Sequence, residues 1–133
     1  MTQATTKVAE QPRSPMVEGF ARFWANPNPA VLPALLAADV VGHFPGDPEP
    51  VCGRDAYVAK IAQFLKLLPD LRLEVAEHAT NGEFHFIRWI GRATGAKGPV
   101  ELSGIDRIRV QDGLVAENYV VFDTARFAAL IGG

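Results

Sequence analysis

In the stretch SPMVEGFARFWAN, apolar side chains fall at Val17, Phe20, Ala21 and Trp24. This i, i+3, i+4, i+7 spacing turns one face of a helix toward a core. Ser14 and Pro15 start that helix: a serine oxygen takes up a free backbone N–H, and proline suits the first helical position. NPNP interrupts it, and Asn28-Pro29 predicts a second short helix to about Ala37, with Pro33 early enough to be tolerated. DVVGHFPGDPEPVCG begins like a short strand and passes into closely spaced turn residues, a loop of the kind that often carries function. RDAYVAKIAQFLKLL restores the helical period, with Tyr57, Ile61, Phe64, Leu65 and Leu68 on one side, until Pro69-Asp70 ends it.

From Leu71 the period changes to two. LRLEVAEHA, FHFIRWIGRAT, VELSGIDRIRV and LVAENYVVFD read as four strands, with turns at Asn81-Gly82, GAKGP and Asp112-Gly113. TARFAALI closes the chain as a short helix. Helices first and a meander after predict an α+β domain over residues 14–133, preceded by a loose tail over 1–13. The sheet, antiparallel or mixed, must cover one face with the N-terminal helices, and a strongly curved sheet wrapped around helices makes a cone with an internal pocket.

Face assignment follows from alternation. Asp106, Ile108 and Val110 share one face of their strand, with Arg107 and Arg109 on the other. Two arginines are easier to solvate than to bury, so Asp106 is expected to point inward. On the next strand Glu117, Tyr119, Val121 and Asp123 lie opposite Asn118, Val120 and Phe122. Ile105, Val120 and Phe122 are expected to leave apolar surface on the outer face, where a homodimer would cover it. Either Arg88 or Trp89 faces the pocket, and alternation alone does not choose between them.

Composition narrows the function classes. The 133 residues are 48% hydrophobic and 21% charged with a net charge of −2, a globular balance that gives no reason to expect binding to nucleic acid or anionic membrane. Cys52 is the single cysteine, so the chain forms no internal disulfide. The polar start lacks the apolar stretch of a signal peptide, no apolar run reaches membrane-span length, and the expected location is the cytoplasm. His43, His78 and His85 show no metal-ligand spacing, so no metal is expected. His78 and His85 flank the Asn81-Gly82 turn and are expected to face solvent. No phosphate cradle or nucleophile elbow is present.

The order of elements, the segment GRDAYVAKI after the loop, and the run from Asp106 through Arg109, Asp112-Gly113, Glu117 and Tyr119 to Asp123 resemble the nuclear transport factor 2-like superfamily. The C-terminal run is most similar to its SnoaL-like, polyketide cyclase-like branch, and the resemblance covers about residues 14 to 131. It implies a cone with a deep apolar pocket, often dimerised through the outer sheet face, and very diverse uses. Ketosteroid isomerases of this fold place a general-base Asp before a Pro, where this chain has Phe44 before Pro45, and a helix-one Tyr where it has Phe20. Only their strand Asp has a counterpart, Asp106, so that activity is not expected. An Asp-Arg-Asp relay like that of limonene-epoxide hydrolases would need Asp106, Asp123 and Arg88, without a close motif to support it.

The SnoaL-like resemblance implies a cofactor-free reaction in which a pocket carboxylate moves a proton on a carbon acid flanked by carbonyls. Asp106 and Asp123 are the catalytic candidates, although Asp123 directly precedes TARFAALI and fits equally as that helix's N-cap. Phe20, Trp24, His43, Phe44, Tyr57, Trp89 and Tyr119 are the candidate binding residues, aromatic walls for a flat apolar or polycyclic ligand. The alternatives are a non-catalytic binding domain for a small apolar ligand, and a dimerisation or partner module without one.

Overall fold

The computed structural model describes residues 12–132, so most of the expected N-terminal tail lies outside the described residues. Helix α1 spans Pro15–Ala25, and the Ser14 side chain accepts the Val17 N–H at its start. Asn28 caps a 3-10 helix at Pro29–Leu35 rather than the longer helix expected. Pro33 lies inside it and has no N–H to give to an α-helical ladder. The chain then extends from Leu36, one residue before that helix was expected to end.

The strands are β1 (Leu36–His43), β2 (Val51–Cys52), β3 (Arg72–Asn81), β4 (Phe84–Gly95), β5 (Gly98–Gln111) and β6 (Leu114–Phe122). Helix α2 (Arg54–Leu67) follows β2, and α3 (Thr124–Gly132) follows β6. The sheet is open, with six strands in the order β2-β1-β6-β5-β4-β3. Strands β3 to β6 form the expected antiparallel meander, and β1 joins it parallel to β6, making the sheet mixed. Helix α1 packs across β3 and β4, and α2 packs on β1. The core between helices and sheet gathers Val17, Leu36, Val40, Ile61, Ile87 and Ile108. This is the cone-shaped α+β architecture expected.

Turn chemistry sets the meander. Asp112 and Gly113 both adopt positive φ, 54° and 77°, which is what a two-residue type I′ hairpin requires. At the β3–β4 hairpin Asn81 pairs with Phe84, so the loop is Gly82-Glu83, one residue later than expected. Gly82 supplies its positive φ of 62°.

One irregularity decides which residues of β6 face inward. Leaving the Asp112-Gly113 turn, Gln111 pairs with Leu114 and Val110 with Val115, but Arg109 then pairs with Glu117, leaving Ala116 as an extra residue. A one-residue bulge reverses the face of everything beyond it relative to its partner strand. Without it Asp106 would lie opposite Tyr119; with it Asp106 lies opposite Val120. Asn118 and Val120 are therefore buried, and Phe122 belongs to the core margin. This corrects the expected outer face. Its apolar residues are Phe86, Ile105, Tyr119 and Val121, all exposed, and not Val120 and Phe122.

Candidate functional site

The helices and the concave side of the sheet enclose a cavity of about 440 Å³, a size suited to a small organic molecule. Phe20 and Trp24 of α1, Phe44 after β1, Tyr57 of α2 and Trp89 of β4 all border it, so five of the seven expected binding residues converge there. Trp89 takes the inner position on β4; Arg88 turns outward and pairs with Glu77 at 2.8 Å. An Asp-Arg-Asp relay through Arg88 is thereby ruled out.

Asp106 is buried at the cavity wall. Trp89 Nε1–H donates to its Oδ1 at 2.8 Å, and Asn118 Nδ2–H donates to its Oδ2 at 2.8 Å. The second Asn118 hydrogen goes to the Tyr57 hydroxyl oxygen at 2.8 Å. Two glycines make room for this cluster. A Cβ on Gly104, which faces Trp89 across β4 and β5, would lie 2.3 Å from the indole. A Cβ on Gly42 would lie 2.6 Å from the Phe44 ring and 2.9 Å from the Tyr57 ring. The bare backbone at these places leaves the space that these rings occupy.

Burial in apolar surroundings pushes the Asp106 pKa up to about 6, and the hydrogen bonds from Asn118 and Trp89 hold it from rising further. Burial, together with the neighbouring Asp106 charge, raises the Tyr57 phenol above its ordinary range. At neutral pH the cluster is thus one carboxylate of raised basicity beside a phenol that keeps its proton.

The other expected site residues lie elsewhere. Asp123 is exposed, and its carboxylate accepts the Arg126 N–H at 3.0 Å as the N-cap of α3. The carboxylate is committed to the helix start and does not border the cavity. Tyr119 is on the outer face because of the Ala116 bulge, where its ring stacks on His43 at 4.4 Å. His43 follows it outward and pairs with Glu117 at 2.9 Å. Glu117 also meets Arg107 at 2.9 Å and Arg109 at 3.7 Å. The hydrogen bond from His43 is the main reason its carboxyl sits below the usual range.

Two inner residues escaped the sequence reading. Asn118 is placed inward only by the bulge, which no residue type announces. His85, expected to face solvent, is buried and borders the cavity. Its place on the same face as Ile87 and Trp89 was the available signal, obscured by its nearness to the turn. Among the described residues, no three His, Cys, Asp or Glu side chains converge as a metal ion would require, and no helix is long and apolar enough to cross a membrane.

The profile of the SnoaL-like domain matches residues 17–118. The chain belongs to the SnoaL-like family. A search of curated protein sequences finds no match. Among solved structures, IdmH from Streptomyces antibioticus, a proposed polyketide cyclase, superposes with a TM-score of 0.74 at 22% identity, over 88% of this chain and 96% of that one. TerC, co-crystallised with polyporic acid, gives 0.75 at 18% identity over 88% and 95%. A hypothetical protein of ketosteroid isomerase-like fold from Catenulispora acidiphila, in complex with trimethylamine, gives 0.78 at 18% identity over 89% and 92%. At these identities the likeness is one of fold, and the SnoaL-like chain is a cone-shaped domain with a small-molecule cavity.

Proposed function

We propose that this SnoaL-like protein is a cofactor-independent enzyme that moves a proton on a small, mostly apolar, ring-containing carbon acid, with Asp106 as the acid/base. The observation that carries the reading is a carboxylate buried in an aromatic-walled cavity with its pKa raised to about 6. Such a group is ionised at neutral pH yet basic enough to take a proton from carbon beside a carbonyl and return it elsewhere on the enolate. Trp89 and Asn118 fix its orientation, and each carboxylate oxygen has a further lone pair for the incoming proton. Tyr57, still protonated, has a hydrogen to give to the developing enolate oxygen. The aromatic lining favours a flat ring system, and the presence of a ligand in TerC agrees with a ligand-binding use of the fold.

The test is deuterium uptake at the activated carbon of 2-tetralone in D2O, followed by proton NMR. The wild type should accelerate exchange by about a hundredfold or more, and Asp106→Asn should return it to the buffer rate. Exchange that is absent, or unchanged in Asp106→Asn, overturns the reading. Both Asp106 oxygens already hold protein donors, which favours a second reading: a binding domain in which the aspartate only orients a polar group. Binding of 2-tetralone without any exchange selects that one.

A second copy of the chain is the proposed occupant of the outer face. Phe86, Ile105, Tyr119 and Val121 form its apolar surface, large enough in side-chain size to favour cover. Sedimentation should find a dimer at micromolar concentration, converted to monomer by Val121→Glu; a wild type that sediments only as monomer overturns this.

A further inference from the structure

The cavity has a second polar position, away from Asp106, to which the proposed reaction assigns nothing. His85 lies on the inner face of β4, opposite Ile108, while Asp106 lies opposite Ile87. The two side chains are therefore diagonal neighbours on paired strands, about 7 to 8 Å apart at their attachment points. His85 Nδ1 lies 2.9 Å from Ser14 Oγ and 3.3 Å from Thr80 Oγ1. The Ser14 oxygen already accepts the Val17 N–H as the cap of α1, so its own hydrogen is free to point at Nδ1. If Nδ1 accepts the Ser14 hydrogen, the neutral ring carries its proton on Nε2. Burial lowers the His85 pKa from its ordinary value, so the neutral ring is the form present at pH 7. Among the described residues Nε2 meets no hydrogen-bond partner, and the residue borders the cavity.

We infer that His85 Nε2–H is a ligand anchor: it donates to a carbonyl-type oxygen of the bound molecule and orients it so that another part of the ring system meets Asp106. This rests on the ligand-binding reading above and specifies the ligand further, as a ring compound with an acceptor oxygen set apart from its acidic position. His85 is on this account a positioning and specificity residue, held in tautomer and direction by Ser14 and Thr80. The helix cap and the cavity wall are thus joined through one ring.

A pair of substitutions separates the two ring nitrogens. In His85→Asn the side-chain oxygen reaches the Nδ1 position and still accepts from Ser14 and Thr80, but nothing reaches the Nε2 position. In His85→Gln the amide N–H reaches the Nε2 position. Affinities for 6-acetyl-2-tetralone and for 2-tetralone, which lacks the second carbonyl oxygen, are measured by calorimetry, with thermal melts to confirm folding. His85→Asn should weaken 6-acetyl-2-tetralone about 3- to 10-fold and leave 2-tetralone unchanged, whereas His85→Gln should recover most of the loss.

Equal losses for both compounds make His85 a packing residue and overturn the inference, as does a His85→Asn variant that binds 6-acetyl-2-tetralone like the wild type. Nitrogen NMR of the wild type gives an independent check: a proton on Nδ1 instead of Nε2 also overturns it. Binding of neither compound overturns the inference together with the reading it rests on. The predicted affinity pattern without deuterium exchange upholds the inference and overturns only the proposed catalysis.

Discussion

Replacing Asp106 by Asn exchanges a buried carboxylate for a neutral group of nearly the same shape. Burial raises the folded-state pKa of Asp106 from 3.8 to about 6, so the folded protein holds this proton more tightly than the unfolded chain. The resulting contribution to stability is fully present below 3.8 and is lost as the pH rises through about 6. Across the whole window it amounts to about 3 kcal/mol. At neutral pH the ionised carboxylate is therefore held in the fold at a cost of about that size, which a neutral amide avoids.

The amide returns part of the gain. Its one oxygen can accept from Trp89 or from Asn118, which both donate to Asp106 in the wild type, but its NH2 then faces the other donor. That mismatch costs about 1 to 2 kcal/mol. Asp106→Asn is expected to be more stable than the wild type by about 1 to 2 kcal/mol at about pH 7.5, and this advantage should shrink by about 2 kcal/mol at about pH 4.5. Urea unfolding of both proteins at both pH values measures it, and the other titrating groups cancel in the difference. The mismatch is independent of pH, so the change with pH isolates the ionisation of Asp106. A difference that is constant with pH, or that grows on acidification, would refute the reasoning.

Trp89→Phe removes one of the two donors holding the Asp106 charge; the inflection in the stability–pH curve should move above about pH 6, with a loss of about 1.5 to 3 kcal/mol at neutral pH. Gly104→Ala would put a methyl group 2.3 Å from the Trp89 indole and 2.7 Å from the Val121 carbonyl oxygen. A loss of about 1 to 3 kcal/mol is expected in denaturant melts, with a shifted tryptophan emission as the indole leaves Asp106; unchanged emission would count against the close packing described. Asp123→Ala removes the cap of α3 and should cost about 1 kcal/mol while leaving 2-tetralone exchange at the wild-type rate. A collapse of exchange in this variant would return Asp123 to the catalytic machinery.

The sequence made the inward direction of Asp106 legible because Arg107 and Arg109 flank a single strand, and alternation within one strand needs no knowledge of its partners. The aromatic wall was legible for a similar reason. Phe20 and Trp24 lie on a helix face of regular period, and Tyr57 shares its face with Ile61, both buried in the structure. Trp89 was undecided because β4 carries apolar residues on both faces: Phe86 and Ile90 lie on the side of Arg88, while Ile87 lies on the side of Trp89. Pairing with Gly104, which leaves space for an indole on the inner side, makes the choice.

By itself the chain determined the helices, the four-strand meander, the two-residue hairpin at Asp112-Gly113 and the family resemblance, since these depend on local period, turn chemistry and capping. It did not reveal the short β2 or the start of β1 at Leu36. Only the tertiary structure decided which half of β6 faces the cavity. A single unpaired residue, Ala116, exchanges Tyr119 for Asn118 and Val120 beside Asp106. It also decided that His85 turns in to meet Ser14 and that Asp123, a helix cap, does not border the cavity. For β6 and His85 the physical reason is the same. Alternation specifies the two faces of one strand, but the face a residue presents to its neighbours depends on register, and register is a property of the pair.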